Sequence, residues 1–136
     1  MPRYFSITEA NATLPFVERV VRDIVQDYAR WKDALERYEL AVAGATADGG
    51  EPDDARELRH RVDDLAGRIE TFIEELEQVG CVLKGFEEGL VDFRSRMDER
   101  EVFLCWKLGE PEVAHWHELH DGAAGRRALV PALKED

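Results

Sequence analysis

Apolar residues recur through the first half of the chain with a seven-residue period. Val17, Val21, Ile24, Tyr28, Trp31, Leu35, Tyr38 and Val42 step alternately by four and three, the 3.5-residue repeat of a coiled-coil seam. Val20 and Val25 widen that stripe on its two sides. A second run, Leu58, Val62, Leu65, Ile69, Phe72, Leu76 and Val79, repeats the pattern. Residues 44–52 between them are rich in Gly, Ala, Asp and Pro and break the helix. Asp53 and Asp54 then suit a new helix N-terminus, and Gly80 suits a C-terminal cap. Each run has room for about 27 residues, roughly 40 Å, so the pattern predicts an antiparallel helical hairpin over 15–79. Ahead of it, Ser6-Ile-Thr-Glu9 reads as a capping box. The short helix it opens is expected to end before Pro15, giving an N-terminal lead-in and short helix over 1–14.

After Gly80 the apolar period shortens to two. Cys81–Lys84, Leu90–Phe93, Glu101–Leu108 and Val113–Glu118 are strand candidates, with Arg94–Arg100 as a polar connection and Gly109–Glu112 as a tight turn. The prediction is a mainly α fold in a single domain over 1–136. A long helical hairpin is followed by an antiparallel β-meander of three to four short strands over 80–127, and a tail over 128–136. The apolar face of the second helix spans roughly 140° of its wheel, more than a two-stranded seam uses. That width predicts a homodimer whose hairpins form a four-helix bundle. The competing arrangement is a monomer whose strands cover the far side.

Composition narrows the function classes. The 136 residues carry 30 acids against 18 bases, a net charge of −12. Such a surface disfavours DNA, RNA and anionic lipid, whose recognition rests on Lys and Arg contacts to phosphate. No apolar run approaches the length of a membrane span, and Met-Pro-Arg-Tyr-Phe-Ser lacks signal-peptide character. Cys81 and Cys105 form neither a disulfide framework nor a Cys-x-x-Cys pair. A cytoplasmic protein with reduced thiols is expected.

Candidate chemistry gathers between Gly80 and Arg127. His115-Trp-His117 places two imidazoles on one face of a strand, where both can reach a divalent transition metal such as zinc. If Leu108 pairs with Val113, Trp106 lies opposite His115 and Leu104 opposite His117, on the apolar face. Strand alternation sends Glu118 to the other face, with Phe103 and Trp116. Asp92, an acid between apolar strand residues, suits a metal ligand or a general base, or else a loop-fixing acceptor. Arg126 and Arg127 suit bidentate pairing with a carboxylate or phosphate. Glu57 and His60 match a di-metal bundle spacing but share a face with Asp64, Arg68 and Glu75, a solvated side. Cys105, between Leu104 and Trp106, reads as a small core residue. The candidate ligand-binding set is therefore Asp92, Trp106, His117, Glu118 and Arg126, with His115 and His117 as the metal pair.

Several motifs in order carry a family resemblance: Arg3-Tyr-Phe with Glu9-Ala-Asn11 and Leu14-Pro15, Gly89-Leu-Val-Asp-Phe93, and Phe103-Leu-Cys-Trp106 with Leu108-Gly-Glu110. Trp116-His-Glu118 and Gly122-Ala-Ala-Gly-Arg126 complete them. Over most of its length the chain resembles a family of small bacterial proteins known as domain of unknown function 2203. The resemblance implies a helical hairpin with a C-terminal β segment and no established activity. Its pattern commonly has an aromatic residue where this chain has His115, which leaves Asp92, His117, Glu118 and Arg126 as the matching site residues. Three functions follow, in order. The first is a binding or interaction module with a C-terminal pocket for a small ligand or metal. The second is a metal-dependent, hydrolase-like enzyme using His117 with Asp92, Glu118 or His115. The third is a structural assembly factor.

Overall fold

A computed structural model describes residues 2–45 and 49–129. The capping box forms as its residues predict. The Ser6 hydroxyl accepts from the Glu9 N–H at 3.0 Å, and the Glu9 carboxylate accepts from the Ser6 N–H at 2.9 Å. Helix α1 (Ile7–Ala43) starts there and does not stop at Pro15. The short helix and the first hairpin helix, expected as separate elements, are one continuous helix. Pro15 has no N–H to offer the Asn11 carbonyl. Ala10, Leu14, Val17 and Val21 on either side of it are buried, and that packing carries the helix across the missing bond.

Helix α2 (Asp53–Val79) returns antiparallel to α1 and ends at Gly80. Gly80 adopts φ +110°, and its N–H bonds to the Leu76 carbonyl oxygen. Burial along both seams is greatest at the end near the sheet, where Val17, Val21, Ile24, Ile69 and Leu76 are all buried. An acid outside the apolar pattern also joins the helices. Asp27 is buried and accepts from Arg30 and from Arg68 of α2, both at 3.0 Å.

The C-terminal half forms one antiparallel sheet of β1 (Cys81–Gly85), β2 (Leu90–Met97), β3 (Arg100–Lys107), β4 (His115–Glu118) and β5 (Arg127–Ala128), in chain order. Strand β2 runs four residues beyond the predicted Phe93. The supposed connection over 94–100 is therefore mostly strand, reversing at Asp98 and Glu99 with φ of +52° and +65°. Two positive φ values in a two-residue turn match the twist of a hairpin. The fifth strand straddles the expected end of the β segment, with Arg127 inside it and Ala128 in the expected tail; residues 130–136 of that tail lie outside the described residues.

One face of the sheet, bearing Val91, Phe93, Val102, Leu104, Trp106 and Trp116, packs with Phe5, Leu14, Val17, Val21, Ile24 and Leu76 into the core. This corrects the expected four-helix bundle. Two α-helices are present among the described residues, and the layer over their wide apolar stripe is the sheet. The close approach is set at Gly89, whose φ is +73°. A Cβ there would come within 2.8 Å of Val21 on α1 and 2.9 Å of Leu108. Among the described residues, no helix is long and apolar enough to cross a membrane.

Candidate metal centre

The other face of the sheet carries the chemistry. Strand alternation puts Leu90, Asp92 and Arg94 of β2 on it, beside Val82 and Lys84 of β1. Phe103 and Cys105 of β3 and His115 and His117 of β4 share that face. Asp92 pairs directly with Cys105, Cys105 with His115, and Phe103 with His117. The register differs by one residue from the expected one, in which Trp106 lay opposite His115. Residues 108–114 explain the slip, because they leave the ladder instead of continuing it to the turn. The Trp106 indole N–H donates to the Glu110 carbonyl oxygen at 3.0 Å, and the Val113 N–H donates to the Asn11 side chain of α1 at 2.7 Å. A one-residue shift exchanges all cross-strand neighbours. The histidines therefore face away from the helices, and Trp106 is a core residue with no exposed surface.

The two histidines go to different partners. His115 is half-buried, with its Nδ1 3.3 Å from a Glu110 carboxylate oxygen. The other Glu110 oxygen accepts from Arg126 and from the Lys107 N–H, each at 2.7 Å. Burial alone would raise the Glu110 pKa, but these two bonds and the Arg126 and His115 charges bring it below its ordinary 4.5. Arg126 also donates to the Cys105 carbonyl oxygen at 3.3 Å, bracing β3 from the C-terminal segment. Glu118 turns its side chain to the opposite side, where it pairs with Arg100 at 3.0 Å.

His117 is almost wholly buried and spans β3 to reach Asp92, its Nε2 3.1 Å from Asp92 Oδ1. Strands β2 and β4 lie roughly 10 Å apart across β3. The two side chains meet because the β3 residue beneath them is a small cysteine. Asp92, Cys105 and His117 are all buried, with one potential ligand atom of each within 4.8 Å of the others. Burial, followed by the charge of Asp92, pushes the Cys105 thiol up to about 11.

The hydrogen bonding of His117 is compatible with a metal ligand. Its Nδ1 lies 2.8 Å from the Glu118 backbone carbonyl oxygen, which can only accept, so Nδ1 carries a proton. In the neutral ring Nε2 then presents a lone pair to Asp92 and Cys105. A carboxylate oxygen cannot satisfy a lone pair. A proton or a cation between the two atoms can. A backbone carbonyl holding Nδ1–H is also the usual outer support of a metal-ligating histidine. The 3.1 Å separation is slightly shorter than the roughly 3.3 Å between neighbouring nitrogen and oxygen ligands of tetrahedral zinc. Bringing the sulfur into the same shell needs a contraction of about 1 Å.

A cleft of about 250 Å³ opens beside the cluster, lined by Lys84, Asp92, Phe103, His117, Gly122 and Ala123, among others. Sequence reasoning found Asp92 and His117 but missed Cys105, which only the true register brings beside them. Glu57 and His60 are exposed, as their place on the solvated face predicts.

No curated protein sequence matches the chain. No solved structure matches it either. One family pattern does, over residues 3–129. That match spans nearly the whole chain, and the protein belongs to this family, described as Uncharacterized conserved protein (DUF2203).

Proposed function

We propose that Asp92, Cys105 and His117 hold a divalent transition metal such as zinc, and that the protein is a metal-dependent, hydrolase-like enzyme. The observation that carries this reading is the convergence of His117 Nε2, an Asp92 carboxylate oxygen and the Cys105 sulfur within 4.8 Å in a buried site, with His117 Nδ1 held at the Glu118 carbonyl oxygen. It puts the enzyme reading ahead of a non-catalytic binding module. Asp92, Cys105 and His117 would hold the metal, a three-residue ligand set of the kind catalytic zinc uses. Bound there, it would supply Lewis acidity and an acidified water for hydrolysis of an ester or amide in the adjoining cleft.

Elemental analysis of the full chain, purified without an affinity tag and equilibrated with zinc, tests the site. One equivalent is expected, with a raised melting temperature and zinc-dependent ester hydrolysis. Cys105→Ser and Asp92→Asn should lose all three. Zinc below about a tenth of an equivalent, with no change in melting temperature, sinks the reading.

A second reading concerns assembly. An apolar groove of about 370 Å³ runs along the outside of the hairpin, lined by Tyr28, Trp31, Ile69, Ile73 and Phe86 among others. This groove supports self-association as a homodimer. Light scattering at micromolar concentration is expected to give twice the chain mass, reduced to one by Trp31→Glu. A wild-type mass of one chain rules the dimer out.

A further inference from the structure

The cleft at His117 adjoins a second one of about 270 Å³, lined by Arg3, Lys84, Asp92, Arg94 and Phe103 among others. Lys84, Asp92 and Phe103 line both, so the two are lobes of one groove across the outer face of the sheet. Among the described residues, every charged side chain lining it, apart from Asp92, is a cation. This runs against a composition of 30 acids to 18 bases. Strand alternation makes the concentration specific: Arg94 follows Asp92 by two residues on one face of β2, and Lys84 follows Val82, the partner of Asp92, by two on β1.

The protein's own contacts leave much of this positive charge uncompensated by close ion pairs. Arg3 donates to the Val79 carbonyl oxygen at 3.2 Å and stands 4.3 Å over the Phe5 ring, contacts that orient a guanidinium without neutralising it. Arg94 approaches Glu101 only to 3.9 Å, the limit of an ion pair, while Glu101 also accepts from the Tyr4 hydroxyl. Lys84 is exposed. Asp92, the lone acid, is directed at His117. Each lobe is smaller than the about 300–1,000 Å³ typical of drug-sized pockets, which suits a small molecule rather than a peptide.

We propose that the groove takes a small organic anion, with its carboxylate or phosphate held among Arg3, Lys84 and Arg94 and a separate ester or amide bond beside Asp92 and His117. The reacting half rests on the metal reading above; the anion handle does not. Guanidinium and ammonium groups bind both oxyanions, so the chemistry fixes the charge and the test separates the two.

Isothermal titration of the zinc-equilibrated full chain with phenylphosphonate, benzoate and neutral benzamide tests the handle at low salt. At least one anion should bind tenfold or more tightly than benzamide, and the tighter one identifies the oxyanion. The Lys84→Gln/Arg94→Gln double variant should lose that preference while its zinc content and melting temperature stay unchanged. Cys105→Ser should lose zinc yet keep phenylphosphonate or benzoate binding. Retention of anion binding by a wild-type chain that takes up no zinc leaves the handle standing and removes the metal reading. Anions that bind no better than benzamide overturn the handle. So does binding that survives the double variant but disappears in Cys105→Ser, since the anion would then be on the metal.

Discussion

Cys105 sets how the cluster responds to pH. Its thiol is raised from an ordinary 9.0 to about 11, first by burial and then by the Asp92 charge. At neutral pH it is protonated, and a metal that binds through sulfur must displace that proton. Zinc affinity should therefore rise with pH by about tenfold per unit between pH 6 and 9 from this group alone. Competition with a chelating dye across that range reads the slope, and a flat profile contradicts sulfur ligation. Asp92 and His117 were legible in the sequence, one as an acid among apolar strand residues and the other as a strand histidine. Cys105 was not, because a cysteine between Leu104 and Trp106 looks like core until the register is known. The same slip took the histidines off the apolar face that Trp106 keeps and set His115 beside Glu110, so neither Trp106 nor His115 joins the cluster.

At the scale of elements, the sheet meets the helices through residues with little latitude. Gly89 combines a positive φ with a close approach to α1. Gly89→Ala strains the backbone and pushes Val21 and Leu108 apart, so it should lower unfolding stability by about 1–3 kcal/mol. Urea denaturation measures this, and an unchanged midpoint contradicts the packing described. Gly80 and the capping box at Ser6 were readable because caps are local signals. The continuation of α1 through Pro15 was not, because it depends on burial of Leu14 and Val17 against strands nearly eighty or more residues away in the chain. The length of β2 was missed for a related reason. Arg94 and Arg96 look like loop residues, yet they occupy the outer face of a strand whose alternate positions, Ser95 and Met97, are buried. Asp27 shows the converse: an acid outside the apolar pattern of α1 is buried and paired with Arg30 and Arg68.

For the whole molecule, the apolar stripes predicted the hairpin and the shortened period predicted the antiparallel sheet. What they could not decide was which surface covers which, since a second hairpin and a sheet bury the same stripe equally well. The sheet covers it at one end, leaving the groove at Tyr28 and Trp31 along the hairpin. With its inner face given to the core, the sheet presents a buried acid–thiol–imidazole cluster, flanked by cations, on its outer side. The most direct test of that cluster as a metal centre is the absorption spectrum of the full chain titrated with cobalt(II). One equivalent should bring up tetrahedral ligand-field bands and a sulfur-to-cobalt charge-transfer band, with the latter abolished by Cys105→Ser. Cobalt bound without the charge-transfer band, or with a spectrum that Cys105→Ser leaves unchanged, would contradict the account.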